Sequence, residues 1–194
     1  MRRHAALNRA ARLYDSGAFL ADLARLVAVP SESQTGHGIP HLAAYLTDHL
    51  RPALEHLGFV CEMLVNPAAG GPLLLAERIE DPDLPTVLIY GHGDVIRGLA
   101  PAWDEGLSPW QLTERDGRIY GRGVADNKGQ HAIGLAALGA VIAERGRLGF
   151  NAQVLIETSE ETGSPGLREI CENRHAELAA DLLLASDGPR FAPD

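Results

Sequence analysis

Residues 86–95 read TVLIYGHGDV. The run Thr86–Tyr90 is apolar without a break and partly β-branched, as a strand buried on both faces should be. It enters a small polar loop, Gly91-His92-Gly93-Asp94. Two further apolar runs have the same design. Gln153–Glu157 ends at TSEETGS, and Asp181–Ala185, DLLLA, is a third buried strand by this reading and ends at Ser186-Asp187-Gly188. Helical patterns separate these runs, an alanine-rich one over Gln130–Glu144 and another over Leu167–Glu177. Strands alternating with helices predict an α/β layered domain with a mostly parallel or mixed central sheet. In open sheets of that kind, ligands bind beyond the carboxyl ends of the strands. Those ends are where this sequence gathers acidic and imidazole side chains.

Working outward, residues 18–28 repeat apolar positions at helical spacing until Pro30. A second helix is predicted over Ile39–Leu57, broken or kinked at Pro52 and capped by Gly58. Strands are expected over Phe59–Val65 and Pro72–Ile79 around the loop NPAAGG. Leu112–Arg115 and Arg118–Gly121 flank Asp116-Gly117, a hairpin turn signal. The 194 residues suffice for one sizeable domain, and 45% hydrophobic with 22% charged residues permits a real core. A net charge of −9 without a basic stripe argues against a nucleic-acid partner. No run approaches about 18 apolar residues, so no membrane partner is expected. The N-terminal MRRHAALNRAARLYDSG is positive but lacks the apolar region of a secretory signal. Cys61 and Cys171 lie far apart and outside any Cys-x-x-Cys, which favours a reducing, cytoplasmic setting.

Four segments could carry chemistry. His92 offers an imidazole at a strand end, and Asp94 can accept its other ring N–H and fix the tautomer; an ordinary hydrogen-bonded histidine before a turn fits as well. In GRGVADNKG, residues 121–129, Asp126 could bridge two cations while glycines let the backbone approach closely. The rival readings are a glycine-rich turn capped by Asp126 and a phosphate cradle with Lys128, whose spacing matches neither nucleotide fingerprint. Glu160 and Glu161 are adjacent carboxylates at a strand end, unfavourable unless cations or protons compensate them; a solvated acidic turn is the alternative. Asp187 is a ligand or a turn former. Among the other histidines, His131 alone follows a motif closely enough to approach the site, against a plain helix-surface position. Trp103, Trp110 and Tyr120 read as packing residues, and Lys128 as a support for its loop.

Taken together, YGHGDV, WDEGLSPWQLTERDGRIYGRGVADNKG, ETSEETGS and SDG resemble the aminoacylase, glutamate carboxypeptidase and carnosine dipeptidase family of two-metal peptidases. The resemblance covers most of the chain from Ala18, and its motifs lie within Val87–Pro189. It implies two divalent ions, zinc above all, with manganese or cobalt also suited to such ligands. His92, Asp126, Glu161 and Asp187 are then the metal ligands, Asp126 bridging both ions. Asp94 supports His92, and Glu160 is the general base that takes a proton from an activated water. A cis peptide between Asp126 and Asn127 is implied as well. The substrate would be a small peptide or an N-acyl amino acid, and the full-length protein a homodimer.

The resemblance also carries a mismatch. Family members continue with a lid and dimerisation domain and then a final histidine ligand, for which residues 1–194 hold no counterpart. The sequence therefore reads as the N-terminal part of a catalytic domain, with a truncated sheet and weak or absent turnover on its own. A non-catalytic metal-binding remnant and a nucleotide binder are the competing classes. Glu160-Glu161 has no purpose in the nucleotide binder.

Overall fold

The computed structural model describes residues 2–187. The chain begins with helices α1 (Arg2–Asp15) and α2 (Ala18–Val27), followed by α3 (Ile39–Ala44), a π-helical turn over Tyr45–Leu50, and α4 (Arg51–His56). Strands β1 (Val60–Leu64), β2 (Leu73–Arg78) and β3 (Thr86–His92) come next, then the hairpin β4 (Thr113–Arg115) and β5 (Arg118–Tyr120). The long helix α5 (Lys128–Arg145), β6 (Asn151–Glu157), α6 (Leu167–Asn173) and β7 (Leu182–Ala185) complete it. The main sheet has the order β1-β2-β6-β3-β7. Strands β6, β3 and β7 run parallel, whereas β1 and β2 pair antiparallel, so the sheet is mixed as the sequence predicts.

Side chains alternate across the sheet and fill two cores. Leu74, Ala76, Ile89, Val154 and Ile156 point to one face, against Leu23, Leu26, Tyr45, Leu46, Leu50 and Leu54 of the helical layer. Leu73, Leu75 and Leu155 point to the other, against Ile170 of α6. The result is an α/β/α sandwich. Register does the rest. His92 lies opposite Glu157, and Tyr90 opposite Ala185, so the three parallel strands end at one rim of the sheet.

Two departures from the sequence reading, at β7 and at α1, have local causes, and so does the break expected at Pro52. The DLLLA segment does form β7, but it is the sheet's edge and not buried: Leu182, Leu183 and Leu184 are 57%, 62% and 48% exposed. It pairs only with β3, and among the described residues no helix covers it. The helix expected over Ile39–Leu57 changes hydrogen-bond register just ahead of Pro52. Arg51 N–H donates to Leu46 O, five residues back. A wider turn there relieves the clash a proline ring makes with the carbonyl four residues before it. Helix α1 has no counterpart in the sequence reading. It packs on α5, where Arg9 Nε donates to Glu144 at 2.8 Å.

The hairpin behaves as its turn residues require, with Asp116 and Gly117 at φ 54° and 73°, both in the left-handed region that a two-residue loop demands. On α5, Gly134 borders a small gap lined by Leu50, Ile89 and Val154, and an added Cβ would meet nothing within 4 Å. Alanine is favoured over glycine inside a helix by roughly 1 kcal/mol. Gly134→Ala is therefore expected to raise stability by about that amount, read as a higher denaturant midpoint at unchanged slope. A lowered midpoint would contradict the helix packing described.

Candidate metal centre

His92 is the last residue of β3 and is fully buried. Its Nε2 faces three carboxylates from separate segments: Asp126 Oδ1 at 3.0 Å, Asp187 Oδ2 at 3.4 Å and Glu160 Oε2 at 3.8 Å. Each follows or precedes a regular element. Asp126 lies in the loop before α5, Glu160 in the short 3-10 turn after β6, and Asp187 two residues past β7. The sheet thus delivers them from the rim its parallel register creates. Side chains of Asp126, Glu160 and Asp187 are 49%, 38% and 25% exposed. The imidazole is sealed, while the carboxylates open to solvent on the side where a ligand would arrive.

Asp94 lies against the ring of His92, as the sequence reading expects, and has a second role. The nearest acceptor for His92 Nδ1 is the main-chain oxygen of Asp94 at 3.0 Å, with carboxylate Oδ1 at 3.3 Å. The buried carboxylate mainly clips the acidic turn, because Oδ1 accepts Glu160 N–H at 3.2 Å and Oδ2 accepts Glu161 N–H at 3.1 Å. One aspartate therefore ties the ring of His92 to the backbone of Glu160-Glu161.

The loop that carries Asp126 is held just as closely. Its peptide bond to Asn127 is cis, as the resemblance implies. Gln130 Nε2 donates to Ala125 O at 2.8 Å, and Gly129 N–H donates to Gly123 O at 3.0 Å. A Cβ at Gly129 would sit 1.9 Å from Val124 O, so only glycine allows this approach. Lys128 is buried and turned away from any ligand: Nζ donates to Leu26 O at 2.9 Å and Val29 O at 2.6 Å.

Charge explains what such a cluster can hold. Burial disfavours a charged His92, but the hydrogen bond and charge of Asp94, with the charges of Asp126 and Glu160, outweigh it and push the ring up to about 9. Burial raises the carboxyls of Glu160 and Glu161, and their acidic neighbours raise them further. Among the described residues, His92 is the one cationic partner within ion-pair reach of Asp126, Glu160 and Asp187. A divalent cation would supply the missing positive charge, and one imidazole with carboxylate oxygens is a donor set that zinc accepts. His92, Asp126 and Asp187 place one donor atom each within 4.8 Å of one another, a spacing that fits such an ion.

Glu161 stands outside that group, although its carboxyl senses Asp126 as its strongest neighbouring charge. His131 approaches the site from its buried side, through Asn127. It is 5% exposed, hence not on the helix surface, and it pairs with Tyr45 and Asn127 rather than with the acidic cluster. Trp103 donates Nε1–H to Gly98 O at 2.7 Å and lies under Arg122, which agrees with a packing role. Sequence reasoning missed Asn127, whose Oδ1 accepts the His92 main-chain N–H at 3.3 Å. Its position beside Asp126 was the available signal.

Comparison with known proteins identifies the family. Residues 88–191 match the model of Peptidase family M20/M25/M40. The chain is 40% identical over 121 residues to the Beta-Ala-His dipeptidase of Mus musculus, covering 60% of this chain and 24% of that protein. It is 32% identical over 154 residues to the acetylornithine deacetylase of Photorhabdus laumondii, covering 77% of this chain and 38% of the relative. The crystal structure of human carnosine dipeptidase 1 superposes with a TM-score of 0.82 at 30% identity, over 95% of this chain and 42% of that one. The chain thus spans less than half the length of each. With the match extending over more than half of its residues, the chain belongs to peptidase family M20/M25/M40.

Proposed function

We propose that the protein is a metal-dependent hydrolase that cleaves the peptide bond of dipeptides or releases a C-terminal amino acid, using two divalent ions. The observation that carries this is the convergence of His92, Asp126 and Asp187 with Glu160 beside them, all on the rim where α/β sheets bind ligands. His92 and Asp187 would hold one ion and Glu161 the other, with a carboxylate oxygen of Asp126 for each. Bound there, the ions polarise the scissile carbonyl and acidify water. Glu160 is the group placed to accept a proton and return it to the leaving amine. In the metal-free chain its carboxyl is raised by burial and by Asp187, Asp94 and Asp126, against an opposing effect of His92. Asp94 holds the turn that presents it.

The preference for peptides follows the dipeptidases among the relatives. An N-acyl-amino-acid deacylase is the second reading, supported by the longer alignment with acetylornithine deacetylase. Both use the same residues of this chain.

Two measurements test the proposal. In calorimetric titration of the metal-free chain, zinc is expected to bind at micromolar concentration or tighter, and Asp126→Ala to abolish that binding. Glu161→Gln should weaken zinc binding while raising the melting temperature of the metal-free chain, because it removes a charge that burial and Asp126 disfavour. Unchanged zinc affinity in both variants would exclude these ligands. In hydrolysis assays with added zinc or manganese, residues 1–194 are expected to turn over weakly at most, and to cleave dipeptides in preference to N-acetyl amino acids. A chelator should stop that turnover, and Glu160→Gln should slow it by about 10²–10⁴-fold, the usual contribution of a general base. Turnover that survives both would contradict the mechanism.

A further inference from the structure

A buried line of polar groups runs from the helical layer to the backbone of His92. Tyr45, His131 and Asn127 are 0%, 5% and 1% exposed. Tyr45 Oη lies 2.5 Å from His131 Nε2, and His131 Nδ1 lies 3.4 Å from Asn127 Oδ1. That same oxygen accepts the main-chain N–H of His92 at 3.3 Å.

The geometry fixes which atom carries each proton. Ala125 O can only accept, so Gln130 presents its Nε2 there and its Oε1 to Asn127 Nδ2 at 2.8 Å. The main-chain N–H of His92 can only donate, so Asn127 must turn Oδ1 toward it, which agrees. His131 Nδ1 faces an acceptor and therefore bears the hydrogen. Burial, with His92 and Lys128 nearby, depresses the His131 ring to about 3, so it is neutral and its Nε2 is bare. Burial likewise keeps the Tyr45 phenol protonated, and its O–H donates to Nε2. The chain has one direction, Tyr45 to His131 to Asn127, and ends on the two segments that present His92 and Asp126.

We propose that Tyr45 and His131 are positioning residues for the metal centre, locking the Asn127 side chain and through it the spacing between His92 and Asp126. For filling space alone, apolar groups of the same shape would serve about as well. What the polar chain adds is a fixed orientation for Asn127, which immediately follows Asp126 and holds the backbone of His92. Outer partners of this sort orient metal ligands in many sites. The proposal rests on the metal-site reading above.

The test uses the 194-residue chain in two measurements. Long-range ¹H–¹⁵N spectra of the metal-free protein are expected to show His131 as the neutral Nδ1–H tautomer, and an Nε2–H or charged ring would overturn the proposal. Zinc affinity is then measured by competition with a chromophoric chelator, on variants whose far-UV circular dichroism and cooperative melting match the parent. Tyr45→Phe and His131→Leu are each expected to weaken zinc by about tenfold or more, the usual effect of removing an outer partner. His131→Gln, which keeps one acceptor and one donor, should restore most of the affinity. Should His131→Leu fail to fold, Tyr45→Phe decides, since it removes only the hydroxyl. Parental zinc binding with equal affinity in both deletion variants overturns the positioning role and leaves the metal site standing. Absence of zinc binding by the parent overturns the metal site and this proposal with it.

Discussion

His92 has no contact with solvent, yet Asp126, Asp187 and Glu160 crowd its Nε2 at 3.0, 3.4 and 3.8 Å. Negative charge gathered this closely is unfavourable unless a proton or a cation compensates it. The rest of the structure is arranged to sustain that crowding. Parallel register brings the ends of β3, β6 and β7 to one rim. The buried Asp94 carboxylate clips the Glu160-Glu161 turn beneath His92. Gly129 lets α5 start against Val124, which sets the loop that presents Asp126.

Rigidity and exposure are divided within the site. The parts that fix geometry are buried, including His92, Asp94, Asn127, Lys128 and His131. The carboxylates that would meet a ligand remain partly open. Such a division is economical for catalysis, because a preorganised centre needs little rearrangement when the reaction begins. It also links the helical layer to the site. Lys128 ties the end of α2 to the Asp126 loop through Leu26 and Val29, and Tyr45 reaches the same loop through His131.

Much of this was legible in the sequence, for identifiable reasons. Continuous apolar runs marked β3 and β6, and Asp116-Gly117 marked the hairpin, because local composition alone determines both. His92, Asp126, Glu160 and Asp187 could be singled out because each sits at a strand end or in a glycine-rich loop. What stayed hidden depends on tertiary context. The Leu182–Leu184 run looks like a central strand, and only sheet order reveals it as an edge. Helix α1 mixes arginines with alanines and shows its packing partner only when α5 is in place. Burial of His131 follows from Tyr45 lying across from it, 86 positions away in the chain. Similarly, the carboxylate of Asp94 could be foreseen as a partner of His92 but not as the acceptor for two amides of another loop.

The central claim is that these side chains converge to hold a pair of divalent ions. Anomalous diffraction at the zinc edge, from crystals of the chain grown with zinc, tests it most directly. Two peaks about 3.5–4 Å apart are expected, the usual separation in two-metal sites. One should touch His92 Nε2, Asp187 and Asp126, and the other Asp126 and Glu161. A map with no peak at Asp126, and with His92 still bonded directly to that carboxylate, would contradict the account.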